Sequence, residues 1–310
     1  MNHEKKVEDV IILGTGPAGW SAALYAARAS LDPLVLTGTE IGGQAALTHI
    51  IENYPGFPEG VGGAELAELF QKNAERFGAR VEYDSADQVN LKDRPLLVKT
   101  YSQEYLTKAL IVATGASPNK LNVPGEKELT GRGVSYCATC DGWFFKDKNV
   151  FVVGGGDSAL EEGIFLTRYA KSVTIIHRRD QLRAGAILQD RAEKNEKIKF
   201  IWNSIVTQIV GSDAVEAVVV KNVVDEQAQE LPIDGIFIFI GHSPNTGMFK
   251  DQLELDEKGY IIADWQMRTN IPGVFAAGEV RDPHYRQVVT SAGMGAAAAI
   301  EATRYLENLE

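Results

Sequence analysis

The chain has 310 residues, of which 45% are hydrophobic and 24% charged, a composition typical of a folded globular protein long enough for two domains. Its 42 acidic residues outnumber its 31 basic residues, and the net charge of -11 disfavours binding to nucleic acid or to an anionic membrane surface. Residues 1–9 lack the pattern of a secretory signal, and no apolar run reaches the roughly 18 residues of a membrane helix. We therefore expect a cytoplasmic protein with no nucleic-acid or membrane partner.

Residues 10–36 predict a βαβ unit. An apolar strand at Val10–Leu13 runs into a glycine turn, a helix follows from Ala18 to Ala29, and a second strand is expected at Leu34–Leu36. Continuous apolar strands of this kind indicate a parallel sheet that is covered on both faces.

The turn of this unit, Gly14-Thr15-Gly16-Pro17-Ala18-Gly19, has the spacing and the setting of a dinucleotide-binding fingerprint. In that setting Gly14 permits the tight turn, Gly16 lets the backbone approach a pyrophosphate at the helix N-terminus, and Gly19 allows close packing of helix on strand. Glu40, after the second strand, is placed to accept ribose hydroxyls. The alternatives are a glycine turn without a ligand and an exposed Glu40 without a role.

The next predicted element is an apolar strand at Leu110–Thr114, which leaves through Gly115-Ala116-Ser117-Pro118-Asn119. Proline lacks a backbone N–H and biases the preceding serine to an extended conformation. We therefore expect the strand to stop pairing there.

Cys137 and Cys140 are the only cysteines, and the two residues between them are too few to close a long loop of the fold. They are either a redox pair or half of a metal site. The histidines, at positions 3, 49, 177, 242 and 284, show no ligand spacing with the pair, so we predict a redox pair and no metal. Opening such a disulfide yields one thiolate and one thiol, and Asp141 is the candidate to supply and remove the proton if burial raises its pKa. Alternatively, Asp141-Gly142 is an ordinary turn pair.

Residues 150–177 repeat residues 10–37 without a gap, 140 positions later. The repeat predicts strands at Val150–Val153 and Val173–Ile176 and a helix from Ser158 to Ala170. Its turn, Gly154-Gly155-Gly156-Asp157-Ser158-Ala159, has alanine at the third glycine position, which slightly loosens the approach of helix to strand.

Basic residues follow the second strand of this repeat. Arg178, Arg179 and Arg183 stand beside His177 in a chain that is acidic overall. Arginine binds phosphate oxygens through a planar fork, so the cluster predicts recognition of the 2'-phosphate of NADPH. Asp180 would suit NADH instead, but three arginines outweigh it, and the remaining alternative is a solvated basic patch.

The strand at Ile236–Ile240 leaves through Gly241-His242-Ser243-Pro244-Asn245, a second copy of the Gly-x-Ser-Pro-Asn exit. Two matching exits imply two adjacent linkers and a hinge. We expect an α/β protein with two Rossmann-like domains, in which residues 118–245 are inserted into a domain made of residues 1–117 and 246–310. Two nucleotide sites and one dithiol need a chemical link, because nicotinamide delivers a hydride whereas a disulfide accepts electrons through its sulfurs. A flavin can mediate that exchange.

The chain resembles the low-molecular-weight bacterial thioredoxin reductases from Asp9 to about Leu306. The resemblance is carried by the two glycine turns, the cysteine motif and the arginine cluster, together with several shorter motifs: Gly42-Gly43-Gln44, Glu52-Asn53-Tyr54-Pro55-Gly56, Ala113-Thr114-Gly115, Gly241-His242-Ser243-Pro244-Asn245, Val274-Phe275-Ala276-Ala277-Gly278 and Tyr285-Arg286-Gln287.

The resemblance implies FAD in the outer domain, NADPH in the inserted domain, thioredoxin as the protein disulfide that receives the electrons, and a homodimer. Electrons would pass from NADPH to FAD, then to the Cys137–Cys140 disulfide and then to thioredoxin. Cys140 would face the flavin and Cys137 would attack thioredoxin, which would dock near Arg132, Trp143 and Phe144. Because nicotinamide and dithiol share one domain, that domain would have to swing between two positions.

The expected catalytic residues are therefore Cys137, Cys140 and Asp141. The expected cofactor-binding residues are Gly14, Gly16, Pro17, Ala18, Gly19, Thr37, Gly38, Glu40, Gly42, Gly43, Gln44, Asn53, Thr114, Gly115, Gly154, Gly156, Asp157, Ser158, Ala159, His177, Arg178, Arg179, Arg183, Gly278, Glu279, Arg286, Gln287 and Val288.

The chain departs from the family pattern at a few of these places. Glu279 stands where the family usually has aspartate, and its extra methylene would shift the hydrogen bond to the ribityl chain of the flavin. Trp143 stands where phenylalanine is usual. No role for His49, in the stretch after Gln44, can be worked out from the sequence.

Three other functions remain compatible with parts of the sequence. Flavoproteins that reduce peroxiredoxin systems share the core but carry an extra N-terminal module, whereas the first strand here is expected at about Val10. Relatives driven by ferredoxin or flavin lack the His-Arg-Arg cluster. A redox-sensing protein that holds FAD and NADPH without turnover would not need the intact Cys-Ala-Thr-Cys-Asp sequence.

Overall fold

The computed structural model describes residues 6–48, 50–51 and 53–309, so His49 and Glu52 lie outside the described residues. The chain forms two compact units, one made of Met1–Ser117 with Ser243–Glu310 and the other of Pro118–His242. The second crossing between units falls three residues before the boundary at 245 that the repeated exit suggested.

The regular elements follow one another as α/β segments with short connections. The helices are α1 (Pro17–Arg28), α2 (Gly43–Ala46), α3 (Gly63–Arg76), α4 (Ala138–Asp141), α5 (Asp157–Leu166), α6 (Ala186–Glu193) and α7 (Val288–Glu307). The strands are β1 (Val7–Leu13), β2 (Leu34–Leu36), β3 (Arg80–Glu82), β4 (Ala86–Asn90), β5 (Leu96–Thr100), β6 (Glu104–Val112), β7 (Ala116–Pro118), β8 (Val134–Ser135), β9 (Asn149–Val153), β10 (Ser172–Ile176), β11 (Ile198–Ile201), β12 (Ser204–Val210), β13 (Ala217–Asn222), β14 (Ala228–Pro232), β15 (Gly235–Ile238), β16 (His242–Pro244) and β17 (Val274–Ala276).

The main sheet of the first unit has the order β3-β2-β1-β6-β5-β4, and β17 also pairs with β6. Strands β3, β2, β1, β6 and β17 run parallel to one another, whereas β5 is antiparallel to both β6 and β4. Small residues allow α1 and α7 to approach closely on one face. A Cβ at Gly295 of α7 would lie 2.0 Å from the carbonyl oxygen of Ala18 in α1. The opposite face of the sheet carries a second apolar cluster that includes Leu34, Leu110 and Phe249.

The second unit repeats this layered plan. Its sheet has the order β11-β10-β9-β15-β8 and is parallel throughout. One face packs in an apolar cluster with residues of α5 and α6, and the other with residues of the antiparallel sheet β12-β13-β14. The predicted α/β class and both βαβ units are confirmed, while β12–β14 were not expected from the sequence.

Helix α5 ends at Leu166, so the prediction that it continues to Ala170 is wrong. The chain tightens after Leu166, because the N–H groups of Thr167, Arg168 and Tyr169 donate to carbonyls three residues back rather than four, and the carbonyls that follow bind other partners. The Lys197 Nζ donates to the carbonyls of Thr167 and Ala170, at 2.8 Å and 2.9 Å. The amide of Asp147 donates to the carbonyl of Tyr169 at 3.0 Å.

The strands β6 and β15 end before the two Gly-x-Ser-Pro-Asn exits, at Val112 and Ile238. The exits, residues 115–119 and 241–245, then pair with each other through β7 and β16, and these two short strands end at Pro118 and Pro244. The backbone N–H of the asparagine in each exit donates to the glycine carbonyl of the other exit. Asn119 donates to Gly241 at 2.9 Å and Asn245 donates to Gly115 at 3.0 Å. Proline is tolerated because a two-stranded ladder leaves one edge of each strand unpaired.

Candidate nucleotide and dithiol sites

The first glycine turn joins β1 to α1, and its three glycines have different surroundings. Gly14 has φ +101°, and a Cβ there would lie 2.4 Å from the carbonyl oxygen of Ala113. A Cβ at Gly19 would lie 1.9 Å from the carbonyl oxygen of Gly14. A Cβ at Gly16, by contrast, would meet nothing within 4 Å, and its φ of -65° suits any residue. Packing within the chain therefore requires glycine at positions 14 and 19 but not at 16.

The N-terminus of α1 stands open beside Gly16. Gly16 is the N-cap, Pro17 begins the helix, and no side chain caps the free N–H groups. Gly43 lies alongside, since a Cβ there would be 3.1 Å from the Cα of Gly16. Uncapped N–H groups at a helix start attract anions, so this arrangement suits a phosphate.

Thr15 holds the loop after β2 against this turn, a role that the sequence did not predict. Its buried hydroxyl donates to the carbonyl of Thr37 at 3.1 Å and accepts the amide N–H of Gly42 at 3.2 Å. Further along the loop, the Gln44 amide donates to the Glu40 carboxylate at 3.1 Å. The predicted residues of segment 37–44 are thus joined to the glycine turn, with Glu40 exposed. A polar residue inside the motif, between two glycines, was the available signal for Thr15.

Residues from the C-terminal third of the chain reach the same turn. A Cβ at Gly278, whose φ is +77°, would lie 2.8 Å from the Cβ of Ala18. The Asn53 amide donates to the Gln287 side-chain oxygen at 3.1 Å, immediately before α7 begins at Val288. These contacts bring together predicted residues separated by more than 200 positions in the sequence.

Glu279 follows Gly278 and is a partly buried acid that lies near the buried Asp282. Burial raises the pKa of Glu279 to about 7, with nearby Arg286 opposing and Asp282 reinforcing the shift. The carboxyl is therefore divided between neutral and charged forms near neutral pH.

Thr114 and Gly115, at the start of the first exit, form hydrogen bonds with Asn245 of the second exit. The Thr114 hydroxyl donates to the carbonyl of Asn245, and the Asn245 side-chain amide donates back to the carbonyl of Thr114, both at 2.8 Å. Asn245 was part of the repeated exit but was not among the expected site residues.

The second glycine turn joins β9 to α5, and as in the first turn one glycine is crowded by the chain while another faces open space. A Cβ at Gly154 would lie 2.5 Å from the carbonyl oxygen of Phe239, whereas a Cβ at Gly156 would meet nothing within 4 Å. Gly156 is the N-cap of α5, and no side chain caps that helix either. The Asp157 side chain accepts the amide N–H of Gly185 at 2.7 Å. Ser158 and Ala159 continue the first turn of the helix.

The basic cluster of the second unit borders this turn. The Arg183 amide donates to the carbonyl of Gly155 at 2.7 Å, and the side chains of Arg178 and Arg179 are exposed. His177 is different, because its ring lies buried against Gly155, and burial together with the neighbouring arginines lowers its pKa. Three exposed guanidinium groups beside an open helix start can recognise an additional phosphate.

Cys137 and Cys140 form a disulfide with a Cα–Cα distance of 5.4 Å. Cys137 is the N-cap of α4, and its sulfur accepts the amide N–H of Cys140 at 3.2 Å. The Thr139 hydroxyl lies 3.4 Å from the same sulfur. The carboxylate of Asp141, at the end of α4, accepts a hydrogen bond from the Ser135 hydroxyl at 2.6 Å. Ser135 was not expected from the sequence, which gave no signal beyond its place two residues before the motif.

Aromatic side chains stand exposed just after the dithiol. Trp143 and Phe144 are 52% and 37% exposed. The Trp143 ring meets Tyr169 edge to face with 5.8 Å between centroids, and the Lys146 Nζ lies 5.4 Å from its centre. Arg132 is also exposed in this unit. Aromatic rings with one face open are common at protein interfaces.

Neither a metal cluster nor a membrane helix is found in the described part of the chain. Residues 6–48, 50–51 and 53–309 contain no group of three or more His, Cys, Asp and Glu placed to hold a metal ion. None of the helices in those ranges is both long and apolar enough to cross a membrane.

Comparison with known proteins agrees with this geometry. The family described as "Pyridine nucleotide-disulphide oxidoreductase" matches residues 8–295. The chain belongs to this family. It is 48% identical to the thioredoxin reductase of Peptoclostridium litorale over 98% of this chain and 99% of that protein. It is 49% identical to the thioredoxin reductase of Listeria innocua over 100% of this chain and 97% of that protein.

A solved structure shares the fold as well as the sequence. The crystal structure of thioredoxin reductase from Streptococcus pyogenes has a TM-score of 0.93 and 46% sequence identity, covering 98% of this chain and 100% of that one. Family membership therefore makes the chain an oxidoreductase of the thioredoxin reductase group. The family resemblance seen in the sequence is confirmed.

Proposed function

We propose that this chain is an NADPH-dependent thioredoxin-disulfide reductase that uses FAD. The observation that carries the proposal is the Cys137–Cys140 disulfide with Asp141 beside it, in a chain that also has two glycine turns opening onto uncapped helices. The similarity to curated thioredoxin reductases over nearly the whole chain supports it.

The first turn fits the pyrophosphate of FAD. Gly16 has open space where any side chain would stand, so a phosphate can reach the N–H groups of α1. We assign Glu40 to the adenosine ribose, and Asn53, Gln287 and Glu279 to the remainder of the molecule. A bound flavin accepts a hydride from reduced nicotinamide and passes electrons to a disulfide.

The second turn fits NADPH. Gly156 leaves the equivalent open space at the start of α5. Arg178, Arg179 and Arg183 provide the cations that a 2'-phosphate requires. The His177 ring is buried against Gly155 and packs on the turn from the inside of the protein. The same phosphate is absent from NADH, so the cluster favours NADPH.

Within the dithiol, we assign the attack on the protein substrate to Cys137 and the position facing the flavin to Cys140. The Cys137 sulfur accepts the N–H of Cys140, and hydrogen bonds to a thiolate stabilise the charged form. Asp141 supplies one proton as the disulfide opens and takes it back as the disulfide reforms.

Thioredoxin is the proposed substrate, and the exposed surface formed by Trp143, Phe144 and Arg132 is its proposed docking site. We infer from the family that the protein acts as a homodimer. The inserted unit carries both the proposed NADPH site and the dithiol, so we propose that it turns about the paired exits to serve the flavin alternately.

The test is a Cys140→Ser variant compared with the parent protein. We expect the variant to keep bound flavin, seen as yellow colour, and to be bleached by NADPH without oxygen, because both nucleotide sites are intact. It should not support NADPH oxidation by purified thioredoxin. Normal thioredoxin turnover by this variant would refute the assignment of the dithiol, and a parent protein that binds FAD and NADPH without reducing any thioredoxin would favour a redox-sensing role.

A further inference from the structure

Ser135 lies next to the dithiol in a position that the fold fixes. It ends β8, where Val134 and Ser135 pair with Ile236 and Phe237 of β15. The residue is only 4% exposed. Because pairing holds its backbone and burial limits its rotamers, its hydroxyl is held at a defined place beside α4.

The Ser135 hydroxyl makes contacts with both Cys137 and Asp141. It donates to the Asp141 carboxylate at 2.6 Å and lies 3.2 Å from the carbonyl oxygen of Cys137. It also accepts the amide N–H of Cys137 at 3.1 Å. One serine oxygen therefore connects the backbone of a redox cysteine to the carboxyl group that follows the pair.

A hydroxyl has one proton and two lone pairs, so it can donate to only one of its two acceptors at a time. The shorter, charge-assisted bond to Asp141 is favoured while the carboxyl is ionised. When Asp141 is protonated, its own O–H can donate to Ser135, and the Ser135 proton can turn to the Cys137 carbonyl. The Cys137 N–H donates to the Ser135 oxygen in both arrangements, so the hydroxyl has one donor partner and one acceptor partner in each.

We propose that Ser135 is a positioning residue for Asp141, and that its hydroxyl turns between the Asp141 carboxylate and the Cys137 carbonyl as Asp141 loses and gains a proton. This inference rests on the proposed function, in which Asp141 exchanges a proton with the dithiol. It adds a residue that holds the acid in place in both of its protonation states.

Opening and re-forming the Cys137–Cys140 disulfide moves two electrons and one proton. When the disulfide opens, two electrons enter the sulfur–sulfur bond, Cys137 becomes a thiolate, and Cys140 takes the proton that Asp141 releases. In the return step the Cys137 thiolate attacks the substrate disulfide, which breaks the sulfur–sulfur bond of the substrate, forms a mixed disulfide and releases the first substrate sulfur as a thiolate. Cys140 then gives its proton to Asp141 and its sulfur attacks the Cys137 sulfur, and the second substrate sulfur leaves as a thiolate.

Other titratable groups lie on the elements packed around this segment. They include Glu161 and Glu162 on α5, Tyr169 after it, and Lys146 after the aromatic residues that follow α4. Tyr136, between Ser135 and Cys137, also titrates, and its hydroxyl donates to the Glu126 carboxylate at 2.8 Å. Replacing Ser135 by alanine changes none of these charges. A shift in the pH profile on that replacement therefore reports the lost hydroxyl rather than a new Coulombic interaction.

The experiment compares Ser135→Ala, Ser135→Thr, Asp141→Asn and the parent as flavin-loaded proteins. Ser204→Ala is the matched control, because Ser204 is equally buried in the same unit and its hydroxyl donates only to a backbone carbonyl, that of Trp202, at 2.8 Å. The first readout is the rate of cysteine alkylation in the NADPH-reduced protein against pH, and the second is single-turnover reduction of thioredoxin.

We expect Ser135→Ala to move the Asp141-dependent limb of the alkylation profile upward by about one pH unit, because a lost hydrogen bond to a charged group is worth roughly that much. Thioredoxin reduction should slow about tenfold, with the KM for NADPH unchanged. Ser135→Thr, which keeps the hydroxyl, should restore the profile, and Ser204→Ala should not move it.

The failures of the two proposals are distinguishable. A parental profile and rate for Ser135→Ala, alongside a slow Asp141→Asn, would overturn the role of Ser135 alone. A parental rate and profile for Asp141→Asn would overturn the proton role of Asp141 in the proposed function. Equal slowing of Ser135→Ala and Ser135→Thr without any shift of the profile would assign Ser135 to the local fold and overturn the inference.

Discussion

Replacing Gly16 by alanine separates ligand binding from folding in the first unit. A methyl group at position 16 meets no protein atom within 4 Å, and φ of -65° accommodates alanine. Alanine is a poorer N-cap than glycine but reduces the entropy of the unfolded chain. We therefore expect the free energy of unfolding of the flavin-free protein to change by less than about 1 kcal/mol.

FAD binding should respond very differently to the same substitution. The methyl group would occupy the space in which a pyrophosphate reaches the N–H groups of α1. Losing one hydrogen bond between N–H and a charged phosphate costs about 1.5–3 kcal/mol, which weakens FAD binding by about 10- to 100-fold. The dissociation constant is measured by adding FAD to the flavin-free protein and following the quenching of its fluorescence.

Two other glycines provide the matched controls. Gly19→Ala places a Cβ 1.9 Å from the carbonyl oxygen of Gly14, so it should destabilise the flavin-free protein by about 2 kcal/mol or more in urea unfolding. Gly156→Ala, the equivalent change in the second turn, should raise the KM for NADPH and leave FAD binding unchanged. Parental FAD affinity in Gly16→Ala, or a loss of stability matching that of Gly19→Ala, would refute the reasoning.

Three further predictions test other parts of the two units. Replacing Arg178 and Arg179 together by alanine removes two phosphate-binding cations, so the KM for NADPH should rise at least about tenfold while the KM for NADH stays the same. An equal rise of both KM values in steady-state assays would refute the 2'-phosphate assignment. Burial raises the pKa of Glu279 from 4.5 to about 7, so its contribution to stability is fully present below about pH 4.5 and is lost as the pH rises through 7. Glu279→Gln should therefore make the flavin-free protein about 3 kcal/mol more stable than the parent above about pH 8 and no different below about pH 4, and unfolding curves with the same difference at both extremes would contradict this. The side-chain amide of Asn245 donates to the Thr114 carbonyl at 2.8 Å, whereas that of Asn119 donates to the Ile240 carbonyl at 3.4 Å. Removing the Asn245 amide should therefore speed proteolysis within residues 115–119 and 241–245 more than removing the Asn119 amide. Equal cleavage rates would show that these bonds do not hold the exits together.

Much of the layered fold could be read from the sequence because it depends on short-range patterns. Strand, glycine turn and helix follow one another within about 30 residues in both units, and the need for glycine at position 19 comes from a contact within the turn itself, with the carbonyl oxygen of Gly14. The end of α5 was missed because the chain tightens after Leu166 and the carbonyls that follow bind Lys197, about 30 residues further along the chain. No local periodicity contains that information.

The site was predictable in its motifs but not in its connections. The contact between Asn53 and Gln287 joins positions 234 residues apart, and only the folded sheet brings them together. Thr15 and Ser135 were overlooked for a similar reason. A hydroxyl becomes informative only when its partners are known, and those partners lie on the loop after β2 and on the helix that carries the dithiol.

The central claim is that a nucleotide-reduced flavin in this chain feeds the Cys137–Cys140 pair, and that the pair reduces thioredoxin. The most direct measurement is an absorption spectrum of the purified protein during anaerobic addition of NADPH, followed by addition of oxidised thioredoxin. We predict a flavin spectrum that NADPH bleaches and that thioredoxin restores, with Cys137→Ser bleached in the same way but not restored. Protein that remains colourless after incubation with excess FAD, or flavin that NADPH bleaches and thioredoxin fails to restore in the parent chain, would contradict the account.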